Sequence, residues 1–172
     1  MPKENPLILR DAVRLMMLRE LRTLDREIAA YPDDESLWLT PSGISNSAGN
    51  LALHMTGNLR HFIGAVLGNN EYVRDRDAEF SRKGLSRFEI SQEIGTTITE
   101  LETAFDSIGP AQLESPYPLP IRERRVGTAD FIVHLAVHLS YHLGQVNYHR
   151  RLLTSEPQAV DALSPLELPV AK

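Results

Sequence analysis

Apolar residues recur with helical spacing in four long stretches of this chain, while alternating runs of the kind strands need are few. In the first stretch, Leu7, Val13, Leu18, Leu21, Leu24 and Ile28 form a broad stripe with the charges elsewhere, which predicts a helix from about Leu7 to Ala30. Tyr31-Pro32-Asp33-Asp34 stops it, because a proline disfavours the α conformation in the residue before it. A loop with Trp38 and Pro41 follows. Ser45 or Ser47 can cap a second helix running to about Leu67, where Gly68-Asn69-Asn70 offers a left-handed exit. Glu71 to Gly84 is charged and reads as an irregular crossover. Ser86-Arg87-Phe88-Glu89 has the capping-box pattern and opens a third helix, ending at Ile108-Gly109-Pro110. Prolines and arginines crowd Pro110 to Val126, which predicts loop or short extended structure. Thr128 can then cap a fourth helix ending near Leu153.

Four such helices predict an all-α fold, a four-helix bundle, formed as one domain over residues 1–172 with 156–172 as a surface tail. The connections Ala30 to Ser45 and Gly109 to Thr128 exceed the usual span of about 2 to 8 residues between bundle helices. They are expected to cover one end of the bundle, where a site would need walls.

Composition narrows the function. A net charge of −5 and a pI near 5.7 lack the basic face of a nucleic-acid binder. Without any cysteine, disulfides, thiolate zinc sites and cysteine nucleophiles are excluded. No run approaches the ~18 apolar residues of a membrane span, and MPKENPLILRD is too short in apolar residues for a signal peptide. A cytoplasmic protein with no membrane and no nucleic-acid partner is the expectation.

The fourth helix carries the candidate chemistry. His134, His138 and His142 lie at four-residue intervals, so each is displaced by only ~40° from the last and all share one face. Around them the segment is almost wholly apolar, and imidazoles buried there need partners. His134 and His142 are about 12 Å apart along the axis, too far to reach one ion through bonds of ~2.1 Å. An adjacent pair can chelate, either His134 with His138 or His138 with His142. The second helix offers a third imidazole, and His54, in the apolar run Leu51-Ala52-Leu53-His54-Met55, is favoured over His61 beside Arg60. Three imidazoles from two helices leave coordination positions open, as catalytic sites do. Asn58 and Gln145, about one turn from His54 and His142, are placed to orient ligands or hold water. Against this stands the plainer reading, in which the histidines are hydrogen-bonded core residues.

Other signatures are missing. There is no HExxH, no Glu three residues before a histidine, no GxSxG, no P-loop and no GxGxxG. Arg122, Arg124 and Arg125 are candidates for recognising an anionic substrate group, although a charged loop is more often simply solvated.

Taken in order, the histidine within SNSAGNLALHMTGNLRHFIG and the later HLSYHLGQ resemble the DinB/YfiT-like superfamily of metal-dependent enzymes, over most of the chain up to about Arg151. The resemblance implies a four-helix bundle holding a divalent metal, commonly zinc or nickel, on three histidines, here His54, His138 and His142. His134 then becomes a neighbour, and His61 and His149 structural or surface groups. Some relatives transfer bacillithiol, mycothiol or glutathione to electrophiles, and some are mycothiol-dependent isomerases. The implied activity is thiol transfer to a small-molecule electrophile, the sulfur coming from the cosubstrate, with Tyr141 or His134 assisting proton transfer. A metal-dependent hydrolase and a non-catalytic metal- or ligand-binding bundle are the alternatives. Homodimerisation is a further expectation from the resemblance.

Overall fold

Pro6 opens the first helix, α1 (Pro6–Ala29), in the position where its missing N–H costs nothing. In the computed structural model, which describes residues 6–156 with Val160, Pro165 and Leu168, α1 buries Val13, Met17, Leu21, Leu24 and Ile28. A 3-10 turn, Ser36–Trp38, interrupts the long connection to α2 (Ala48–Leu59). Ser47 is the N-cap of α2: its hydroxyl accepts from the Asn50 amide at 3.2 Å. The helix continues without a break into a π turn, Arg60–Ala65, and the chain leaves it with Asn69 in the left-handed conformation (φ 56°).

The segment after it is not simply an irregular crossover. It contains a short helix, α3 (Arg76–Ser81), because the Asp75 side chain accepts from the Ala78 amide at 2.9 Å and acids fill the first turn. Asn50 ties this helix to α2, donating to the carbonyls of Glu79 (3.1 Å) and Arg82 (2.8 Å). Helix α4 (Arg87–Ser107) begins with the capping box of Ser86 and Glu89. The connection after it holds a four-residue helix, α5 (Pro110–Leu113), and a tight reversal closed by the Ile121–Arg124 bridge.

Helix α6 (Thr128–Thr154) follows. Its N-cap is Gly127, with no side-chain cap, and Thr128 instead buries its hydroxyl inside the first turn. Residues 157–159, 161–164, 166–167 and 169–172 of the expected tail lie outside the described residues.

The described residues are all-helical apart from isolated bridges, and α1 and α2 each pack against both α4 and α6. One apolar core runs between them, with Met17, Leu21, Leu59, Ile94, Leu139 and Val146 at or near zero exposure. Helices α2 and α6 run antiparallel: Phe62 packs on Phe131 (5.2 Å between ring centroids), while Leu51, eleven residues earlier, shares a cavity with Gln145 and His149. Among the described residues no helix is long and apolar enough to cross a membrane.

Candidate metal centre

Midway along this antiparallel pair, His54 on α2 meets His138 and His142 on α6. The ring centroids lie 5.2 Å (His54–His138), 5.1 Å (His54–His142) and 4.5 Å (His138–His142) apart. One nitrogen from each falls within 4.8 Å of the others, and Nε2 of His138 is 3.1 Å from Nε2 of His142. Four-residue spacing puts the two α6 imidazoles on adjacent turns, and the antiparallel crossing brings His54 against both. His54 is buried; the α6 pair is half-buried, so the cluster is closed toward α2 and open along α6.

The outer nitrogens are occupied. His54 Nδ1 donates to Glu79 Oε2 at 2.9 Å, and His142 Nδ1 donates to Gln145 Oε1 at 2.7 Å. Both acceptors lack a proton to give, so in each ring the proton sits on Nδ1 and the Nε2 lone pair faces the cluster. Glu79 is itself clamped by Arg74, whose Nε reaches Oε1 at 2.6 Å and Nη2 reaches Oε2 at 2.9 Å. Glu79 lies so close to α2 that a β-carbon on Gly57 would collide with its carboxylate. On the other side, the Phe80 ring packs on His54 at 4.8 Å. Burial raises the Glu79 pKa, but the hydrogen bonds from His54 and Arg74 and the Arg74 charge outweigh it and hold the carboxyl below its ordinary value.

Burial acts on the two α6 imidazoles as well, disfavouring their charged forms. Burial, followed by the charges His142, His54 and His134 would carry, pushes His138 down to about 4. Burial also lowers His142, against the opposing Gln145 hydrogen bond. Without an ion, a neutral His138 can donate its Nε2–H to Nε2 of His142 across the short contact between them, and a bound cation would take the place of this shared proton. In a tetrahedral site with metal–nitrogen bonds of ~2.1 Å, ligand nitrogens stand about 3.4 Å apart. The 3.1 Å separation within the α6 pair is close to that requirement. A carboxylate behind one imidazole and an amide oxygen behind another are the usual outer partners of metal-bound histidines. The donor set therefore fits a divalent transition metal.

The other candidate residues fall in distinct places. Asn58, one turn beyond His54, is buried, and its Oδ1 has no hydrogen-bond partner among the described residues. His134 is exposed; its ring stacks on Phe131 (5.9 Å) and lies 6.2 Å from His138, outside the cluster. Tyr141 is 64% exposed, with its ring 5.3 Å from His142 at the open side. His61 packs on Phe62 within the π turn. His149 is buried: Tyr31 donates its hydroxyl to Nδ1 (2.7 Å), and Nε2–H donates to the Leu39 carbonyl (2.9 Å). Arg122, Arg124 and Arg125 sit exposed on the reversal before α6, Arg122 with a positive φ of 46°. Glu79 and Arg74 are the residues that reading the sequence misses. Their signal is Asp75, a good N-cap followed by Asp77 and Glu79, which announces a helix within the charged stretch.

A family model described as "Protein of unknown function (DUF1572)" matches residues 9–163. No curated protein matches the chain.

Proposed function

The chain belongs to the DUF1572 family, and we propose that it is a metal-dependent enzyme that transfers a low-molecular-weight thiol to an electrophilic small molecule. The observation that carries this reading is the convergence of His54, His138 and His142, with Glu79 fixing the inner imidazole and Gln145 an outer one. These three histidines would hold the ion through nitrogen donors that suit several divalent transition metals, zinc or nickel being the ones the DinB-like resemblance implies. When bound, such an ion supplies Lewis-acid activation, lowering the pKa of a thiol so that the thiolate, the actual nucleophile, is present at neutral pH.

The chain's own residues do the rest. Glu79 and Arg74 hold His54 against rotation, and Phe80 covers its outer face. Tyr141, beside His142, and His134, one turn before His138, would assist proton transfer between the reacting groups and water. Thiol transfer suits a protein without cysteine, because the sulfur arrives with the cosubstrate. The ring of packed helices and the order of the histidines support a DinB-like four-helix bundle for the whole domain. The exposed apolar side chains Val137 and Tyr141 on α6 offer a face for a homodimer, the acidic composition disfavours a nucleic-acid partner, and the lack of cysteine suits a cytoplasmic enzyme. A hydrolytic variant draws on Asn58, whose unpartnered buried oxygen is an acceptor for a water.

Purified protein should retain about one divalent ion per chain, lose it on chelation, and lose it on His54→Ala or His142→Ala. The metal-loaded protein should conjugate bacillithiol, mycothiol or glutathione to monochlorobimane. Absence of metal binding overturns the metal reading. Metal binding without turnover over a broad panel of thiols, electrophiles and esters leaves a non-catalytic binder.

A further inference from the structure

Directly beyond Gln145, in the same groove between α2 and α6, lies a cavity of about 330 Å³. Its floor is Leu51, one turn before His54, and its α6 wall is Gln145, Tyr148, His149 and Leu152. The remaining wall is the loop carrying Ile44. That loop is built by a turn in which the Ile44 amide donates to the Pro41 carbonyl at 2.9 Å. Gly43 occupies the turn's third position with φ +85°, a conformation other residues adopt only with strain. The turn thereby fixes Ile44 opposite the C-terminal half of α6.

The lining is mainly apolar and uncharged. Among the described residues that line it none is Lys, Arg, Asp or Glu, and the loop adds the uncharged polar groups of Ser45 and Asn46. His149 presents ring carbons only, since both its nitrogens are engaged by Tyr31 and Leu39, and burial holds it below its ordinary pKa. A void of about 150 Å³ accommodates one benzene ring, and small-molecule pockets begin at about 300 Å³. This cavity therefore has room for a bicyclic aromatic group or an aliphatic chain of similar bulk. A charged group seated against these side chains would give up part of its hydration and find no opposite charge among them. Gln145 belongs to both structures: it lines the cavity and its oxygen holds His142.

We infer that this cavity binds the uncharged, apolar body of the electrophile, holding its reactive end at the histidine centre across Gln145. The inference rests on the metal-dependent reading above and specifies its substrate: a neutral hydrophobic electrophile in preference to an anionic one.

The test uses full-length zinc-loaded protein, with 2-naphthol as the neutral probe and 2-naphthalenesulfonate as its anionic counterpart, followed by methyl NMR. Expected are shifts at Ile44, Leu51 and Leu152 with 2-naphthol, and binding of the sulfonate weaker by about tenfold or more. Leu152→Glu, which brings a charge to the wall, and Ile44→Trp, which fills the space, should each weaken 2-naphthol by about tenfold or more. Both replaced side chains are partly exposed, so thermal melting and zinc affinity should stay at parent values. With cobalt(II) in place of zinc, the protons of bound 2-naphthol should relax faster. No binding, shifts elsewhere, equal binding of the sulfonate, or no cobalt effect overturns the inference while zinc affinity, measured on the same samples, leaves the metal reading standing. Cavity binding in a protein that takes up no zinc overturns the metal reading, and the substrate role with it.

Discussion

Glu79 Oε2 accepts from His54 Nδ1 at 2.9 Å, and this contact joins the short helix α3 to the candidate metal centre on α2. It decides which nitrogen of His54 faces inward. The carboxylate is held by Arg74 through two hydrogen bonds, and α3 is held by Asn50, so the orientation is set by three residues that never enter the cluster. A histidine that would otherwise be an expensive buried polar group becomes a fixed donor.

Replacing Glu79 with Gln should weaken zinc binding by about 10- to 100-fold, the usual effect of losing an outer partner of a ligand histidine. The amide retains the shape but not the charge that makes the imidazole a better donor. Competition with a chromogenic chelator measures the change; an affinity equal to the parent's would show that the contact is only structural.

Gly57→Ala should act through the same carboxylate. The added methyl occupies the space where Glu79 Oε1 rests, and Arg74 and His54 pin that carboxylate from two other sides. Zinc affinity should fall in the direction of Glu79→Gln, although alanine is the better helix former by about 1 kcal/mol. The pair Gly57→Ala/Glu79→Gln should bind zinc more tightly than the sum of the two single losses predicts. Full additivity in a double-mutant cycle would count against the proposed route.

How far the sequence carried these features depends on what kind of interaction fixes them. The four longer helices follow from local patterning: Ser47 and the Ser86–Glu89 capping box mark starts that the structure places at the same residues. The spacing of His134, His138 and His142 shows one helical face, but not which adjacent pair His54 would meet. That depends on the axial offset of α2 against α6, which long-range contacts such as Phe62 on Phe131 set. Glu79 was illegible for a related reason, because its role requires α3 to fold back over Gly57. Thr128 shows the reverse failure: it has good capping chemistry, yet Gly127 takes the cap position and the threonine hydroxyl is buried.

The core contains a second polar device, away from the histidines. Arg150 Nε donates to Glu27 Oε2 at 2.6 Å, and Asn147 donates to Oε1, with Glu27 and Arg150 both almost fully buried. Glu27→Ala should cost about 3–5 kcal/mol, because it removes one side of a buried, hydrogen-bonded ion pair. The double variant Glu27→Leu/Arg150→Met should lose much less than the sum of the single losses. Urea denaturation of the four proteins gives the coupling, and strict additivity would show that the pair is not interacting.

The buried His149 makes stability depend on pH in a defined direction. Burial lowers its pKa below 6.5, while the Leu39 hydrogen bond opposes that shift only in part. The unfolded chain therefore takes up a proton at this residue before the folded chain does. Between the folded pKa and about 6.5 the unfolded state binds more protons, so unfolding free energy must rise with pH there and fall as the solution is acidified. Above about 6.5 the imidazole is neutral in both states and its contribution to the slope vanishes. Protonation would give Nδ1 a hydrogen aimed at the Tyr31 hydroxyl, which must then turn away from it. Denaturation curves of the zinc-loaded protein from pH 7.5 to 5 should show this loss, and His149→Gln should flatten the slope while lowering stability at pH 7.5. An unchanged slope in the variant would assign the acid sensitivity to other groups.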